Sequence, residues 1–145
     1  SFLTFYENDK LHSKGYYLNG LMNGSWKTYY ENGVLSSIGK FKSGKKIGIW
    51  KAYFNNGSIM YKENYINGEE NGIYEEFMYD GNLKISGNYK NGNKEGLWKE
   101  NWSYGPIKWI GNYKNGIKTG IWKFFKQDGS LHRKEIWDKG MKLKS

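Results

Sequence analysis

VLSSIGKFKSGKKIGIWKAYFNNG, residues 34–57, is one period of this chain, and its reading decides the fold. The segment opens on Leu35, Gly39 and Phe41, with Ser36, Ile38, Lys40 and Lys42 set between them. Alternation with period two is the pattern of a half-buried strand. A glycine-rich turn follows at Ser43-Gly44-Lys45-Lys46-Ile47-Gly48. A second run, Ile49-Trp50-Lys51-Ala52-Tyr53-Phe54, has the aromatic content that strands favour. It closes on Asn55-Asn56-Gly57, and the next unit starts at Ser58-Ile59. One period therefore reads as a β-hairpin.

Working outward, the same 24-residue beat runs through the chain without an insertion. All 20 glycines fall into four columns: those of Gly20, Gly24, Gly33 and Gly15, each recurring at 24-residue steps. The fourth continues as Gly39, Gly87 and Gly111, with Glu63 and Glu135 in the two vacant places. An aromatic column, Trp26, Trp50, Tyr74, Trp98 and Trp122, keeps the same step and is predicted to be structural. Self-similarity of this length denotes a repeat array in which each unit packs mainly on its neighbours.

Asn32-Gly33, Asn56-Gly57, Asp80-Gly81 and Asp128-Gly129 are predicted to be two-residue turns in which both residues take positive φ; Tyr104-Gly105 departs from them. With Asn56-Gly57 as such a turn, Phe54 falls opposite Ile59 and Phe41 opposite Trp50. One face then holds Leu35, Gly39, Phe41, Trp50 and Phe54, with a neighbouring ring lying flat over Gly39. The other holds Lys40, Lys42, Ile49, Lys51 and Tyr53. This register buries the tryptophan column and exposes Lys27, Lys51, Glu75, Lys99 and Lys123; a slip of one residue would exchange the faces. The fold class is all-β: an elongated, twisted antiparallel meander of tandem hairpins, about six units in one domain over 1–145, partial at its ends. No sustained 3.6-residue apolar pattern offers a helical layer to cover it. The lysines of the last repeat (Lys134, Lys139, Lys142, Lys144) would blunt the edge strand.

Composition narrows the chemistry. The chain has 145 residues and a net charge of +9, with 19% aromatics and no cysteine. That excludes disulfides and thiolate metal sites and leaves the redox compartment open. Residues 1–48 carry +4, 49–96 carry −2 and 97–145 carry +7, so the basic charge lies at the ends around an acidic middle. His12 and His132 share a column five units apart, too far to share a metal or a proton. Glu69-Glu70 and Glu75-Glu76 flank a turn on a sheet with no pocket for paired-acid chemistry. No Gly-x-x-x-Gly run is followed by the Gly-Lys-Ser/Thr ending and helix of a phosphate-binding loop. The expectation is no enzyme, no catalytic residue, no cofactor and no metal.

The pieces GKFKSGKKIGIWKAYFNNGSI (39–59), YYENGVL (29–35) and GNYKNGNKEGLWK (87–99) resemble units of the bacterial MORN-repeat variant family, and the resemblance spans essentially the whole chain. It implies tandem β-hairpins and a non-enzymatic interaction role. Some members are described as antitoxin-like and others as surface or secreted proteins, while eukaryotic relatives are linked to membrane attachment. The family brings no catalytic residues. The chain departs from the pattern at Glu63, Glu135, Asn101 and the Ser103-Tyr104-Gly105-Pro106 turn.

From the residues themselves, rings beside lysines on an exposed face suit a partner protein, a glycan or anionic lipid headgroups. Tyr29, Lys51, Tyr53, Phe77, Lys123 and Phe125 are the candidate partner-binding residues. A protein partner ranks first, antitoxin, immunity or surface-scaffold roles being cases of it. Anionic membrane ranks second and glycan third; nucleic acid comes last, because Arg133 is the only arginine. The chain starts part-way through a repeat at Ser1, so an upstream signal or anchor segment is expected, and the compartment stays open between cytoplasm and export.

Overall fold

The computed structural model describes all residues, 1–145, as strands and turns with no helix. One fourteen-stranded antiparallel sheet runs from Phe2–Phe5 at one edge to Met141–Lys144 at the other and does not close on itself. The short strands Tyr17–Leu18 and Leu21–Met22 form a separate two-stranded ribbon. The predicted meander of hairpins is what forms, because each hairpin leaves apolar rings that only the next hairpin can cover.

Two turn types alternate along the sheet, and their assignment differs from the sequence reading. Positive φ at both central residues occurs at Asn19-Gly20, Ser43-Gly44, Asn67-Gly68, Asn91-Gly92, Asn115-Gly116 and Lys139-Gly140. These are the two-residue hairpin turns, with Lys42 paired to Lys45 across one and Lys90 to Asn93 across another. At the Asn56-Gly57 type of turn only the glycine is left-handed, with φ of 87° at Gly57. There Phe54 and Ser58 bracket a three-residue loop, Phe54 N donating to Ser58 O and Gly57 N to Phe54 O. The Asn56 side chain accepts from Ser58 N at 2.9 Å, which does by side-chain bonding what a second positive φ would otherwise do.

The longer loop moves the register. Tyr53, not Phe54, lies opposite Ile59. A bulge brings both Ser36 and Ser37 to the Thr28 hydroxyl, at 2.7 and 2.6 Å. It thereby turns Leu35 to pair with Tyr29 on the lysine-bearing side, not on the tryptophan side as predicted. Within the hairpin Phe41 pairs with Lys46, not Trp50. Ile38 pairs with Lys51 and Lys40 with Ile47, so Gly48-Ile49-Trp50 stand opposite Gly39 alone. Gly48 takes φ of 65° in this bulge, which swings Trp50 over Gly39. The rings of Phe41 and Trp50 still meet edge to face, their centroids 4.9 Å apart.

Hydrogen bonds tie the hairpins along both margins of the sheet. Turn glycines donate to the next turn over: Gly44 N to Met22 O, Gly92 N to Glu70 O and Gly116 N to Lys94 O. On the other margin Tyr6, Tyr30 and Trp102 reach the carbonyls of Tyr29, Tyr53 and Phe125.

Candidate interaction surface

The core is a single layer of rings on one face. Each tryptophan of the column lies on the glycine eleven residues before it: Trp26 on Gly15, Trp50 on Gly39, Trp98 on Gly87, Trp122 on Gly111. Its indole N–H donates to the carbonyl of the residue after that glycine, Trp50 Nε1 to Lys40 O at 3.2 Å and Trp98 Nε1 to Asn88 O at 3.1 Å. Trp98 and Trp122 are almost wholly buried, and Tyr74 is half-buried. In the third repeat Glu63 stands in the place of the glycine and Tyr74 in that of the tryptophan. Tyr65 donates its hydroxyl to Glu63, and Tyr74 donates to Glu76 at 3.2 Å.

This ring face carries a second column that sequence reasoning missed. Lys46 lies 4.7 Å from the ring centroids of both Trp50 and Tyr65. Lys94 caps Trp98 and Tyr113, and Lys118 caps Trp122 and Trp137. Burial, then repulsion from Lys118, lowers the Lys94 pKa from its ordinary value. The 24-residue column that holds Lys46, Lys94 and Lys118, interrupted by Glu70, was the available signal; the turn register needed to aim them at the rings was not. The carboxylates of this face are likewise met from within. Lys84 bonds Glu76 at 2.7 Å, Lys108 bonds Glu100 at 3.1 Å, and Arg133 and Lys142 bond the buried Glu135. Burial alone would raise the Glu135 pKa, but hydrogen bonds from Trp137, Arg133 and Lys142 hold it below the usual carboxylate range. A hollow of about 620 Å³ between Phe54, Tyr79 and Trp102 also opens here, its charges held by the Glu76–Lys84 and Glu100–Lys108 pairs.

The opposite face holds the predicted partner-binding residues. Tyr29, Lys51, Tyr53 and Phe77 are half-buried, as is Phe125, and Lys123 is exposed. Tyr53 pairs with Ile59, Phe77 with Leu83 and Phe125 with Leu131, giving a row of ring–aliphatic pairs; Asn101 breaks it and bonds Leu83 O instead. A second row, Ile49, Ile73, Leu97 and Ile121, is 62%, 65%, 55% and 54% exposed. Hollows of about 460 and 440 Å³ lie beside Ile49, the first with Ile38, Lys51 and Tyr53, the second with Lys62, Asn64 and Ile73.

Between these two apolar rows runs a line of charge. Leu3, Lys14, Lys27, Ile38, Lys51, Lys62, Glu75, Ser86, Lys99, Ile110, Lys123 and Lys134 are successive cross-strand partners. Seven of these twelve places hold lysine and one holds glutamate. Lys62 bonds Glu75 at 3.3 Å; the other six lysines have no carboxylate within salt-bridge distance. No three His, Asp or Glu side chains gather to hold a metal ion. His12 stands near one end of the sheet, 3.2 Å from Thr4, and His132 near the other.

Hairpins at a constant period, stacked in one open sheet with a covered face and a bare one, define a tandem-hairpin repeat protein. The family model described as MORN repeat variant matches residues 1–19, 22–43 and 46–67. The match covers three tandem units within residues 1–67, consistent with a MORN-repeat family, and the same period continues to the last strand. No curated protein matches it. MORN repeats are generally modules that bind proteins or membranes.

Proposed function

We propose that this chain is a non-enzymatic protein-interaction module and that its partner sits on the face of Tyr53, Lys51, Phe125 and Lys123. The observation behind this reading is the exposed row Ile49, Ile73, Leu97 and Ile121, regular in spacing and left uncovered by the chain itself. Exposed apolar side chains aligned over several repeats are more than the scattered ones that any surface shows. Half-buried rings surrounded by long polar side chains have the composition of an interaction hot spot. Antitoxin, immunity and surface-scaffold roles are all cases of such binding. The test is capture of partner from the source cell by the parent chain and by Tyr53→Ala with Phe125→Ala. Loss of the captured partner from a folded double variant supports the face; unchanged capture overturns it.

A second reading, peripheral binding to an anionic membrane, is favoured by the lysine row, since each lysine near such a surface adds about 1 kcal/mol. Binding to anionic vesicles that falls steeply with salt and is lost on neutral vesicles is its expected signature. No binding to anionic vesicles at low salt removes it.

A further inference from the structure

We propose that the lysine row and its two flanking apolar rows form a docking surface for an acidic protein segment that also bears aliphatic side chains. This rests on the reading that the Tyr53 face binds protein, and it names the chemistry of the partner.

Like charges face each other across the strands of this row. Lys14 stands directly opposite Lys27, Lys51 opposite Lys62, and Lys123 opposite Lys134. Adjacent strands lie about 4.8 Å apart, and like charges directly opposite each other destabilise a sheet. The chain does not lack the means to neutralise lysine. On the ring face it sets Glu76 against Lys84 and Glu100 against Lys108, and it caps indoles with Lys46 and Lys118. Apart from Lys42 opposite Lys45 at a turn, the directly opposed lysines stand on one line of one face, where an anionic partner would remove their repulsion on binding.

The shape beside the row selects among anions. Hollows of about 440 and 460 Å³ adjoin the row beside Ile49, and they suit aliphatic side chains spaced along a chain that also supplies carboxylates. A nucleic acid has phosphates but no aliphatic groups to place there. A bilayer has both, but sheets twist by roughly 20–25° per strand, so a plane touches the row over only a few strands while a chain segment can follow it. A second copy of this chain would bring lysine against lysine and is disfavoured by the same charge.

The test uses a Glu–Leu copolymer as probe, with poly-glutamate, single-stranded DNA and phosphatidylserine vesicles as comparisons. Lys51→Glu with Lys123→Glu should weaken copolymer binding by at least about tenfold at low salt, as loss of charge complementarity does. The same change should leave the melting temperature equal or higher, because each substitution sets opposite charges across the strands in place of like ones. Lys10→Glu with Lys126→Glu, which changes net charge equally at exposed turn positions, should leave binding within about twofold. Equal loss in both double variants, or none in the first, overturns the proposal. A lowered melting temperature in the first also overturns it, since the lysines would then be structural. DNA or vesicles bound more tightly than the copolymer would assign the row to nucleic acid or membrane and sink it. Poly-glutamate bound as tightly as the copolymer would refute the apolar half. If Tyr53→Ala with Phe125→Ala loses a captured partner that the lysine variant retains, the binding face stands and the acidic chemistry falls.

Discussion

Trp98 lies flat on the backbone of Gly87, so that a Cβ built at Gly87 overlaps the indole, while the indole N–H reaches Asn88 O at 3.1 Å. The same relation recurs from Gly15–Trp26 to Gly111–Trp122 and is absent where Glu63 and Tyr74 stand in those columns. The ring takes the place of a side chain that the strand residue does not have.

Gly87→Val or Gly111→Val is therefore expected to destabilise the array by at least about 1–3 kcal/mol, the usual scale of overpacking. Chemical denaturation of each variant beside the parent measures it. Parent-like midpoints for both would contradict the ring-on-glycine packing.

The third repeat predicts a compensation. Gly87→Glu alone should be strongly destabilising, and adding Trp98→Tyr should recover part of the loss, reproducing Glu63 with Tyr74. A double-mutant cycle should give a coupling of about 0.5–3 kcal/mol, as for residues in contact. Strict additivity would show that the two columns are independent.

Removing a buried ring should cost more than removing a half-buried pair. Trp98→Ala is expected to lose about 3–5 kcal/mol, whereas Tyr53→Ala with Phe125→Ala should spare most of the stability. Thermal melts of the two variants decide it; the reverse order would mean that the faces were wrongly assigned.

The two-residue turns are occupied by Asn-Gly except at Ser43-Gly44 and Lys139-Gly140, among others at Asn91-Gly92. Ser43 and Lys139 hold φ of 49° and 47°, a region that disfavours L-residues other than Asn and Asp. Ser43→Asn and Lys139→Asn should each stabilise the chain by up to about 1 kcal/mol. A drop in melting temperature for either would count against the turn assignment.

Burial raises the pKa of Tyr61, Tyr65, Tyr74, Tyr89 and Tyr113, with Glu63, Glu70 and Glu76 adding to it at the first four. A folded-state pKa above the unfolded value means that the folded chain holds its protons longer. That stability is complete below the ordinary tyrosine pKa of about 10 and is lost as pH rises through the folded values. Melting temperature should fall above about pH 10, with tyrosinate absorbance appearing together with unfolding. Full ionisation of these tyrosines in a folded chain would refute it.

The 24-residue period, the hairpins, the all-β class and the burial of Trp26, Trp50, Trp98 and Trp122 were legible in the sequence. Glycine and tryptophan recur at fixed separation because each local hairpin needs a bare backbone under a ring, and local needs leave local patterns. The position of Leu35, the loop at Gly57 and the column of Lys46, Lys94 and Lys118 were not legible. They depend on bulges: one extra residue at Ser36 sends Leu35 to the other face, and the two extra residues of Gly48-Ile49-Trp50 set Lys46 opposite Phe41, without changing the alternation in the sequence. The lysine row is the clearest case. Lys51 and Lys62 are plain in the sequence, but only the pairing of separate strands sets them opposite each other. Repulsion between them arises from distance in space, which the tertiary structure alone decides.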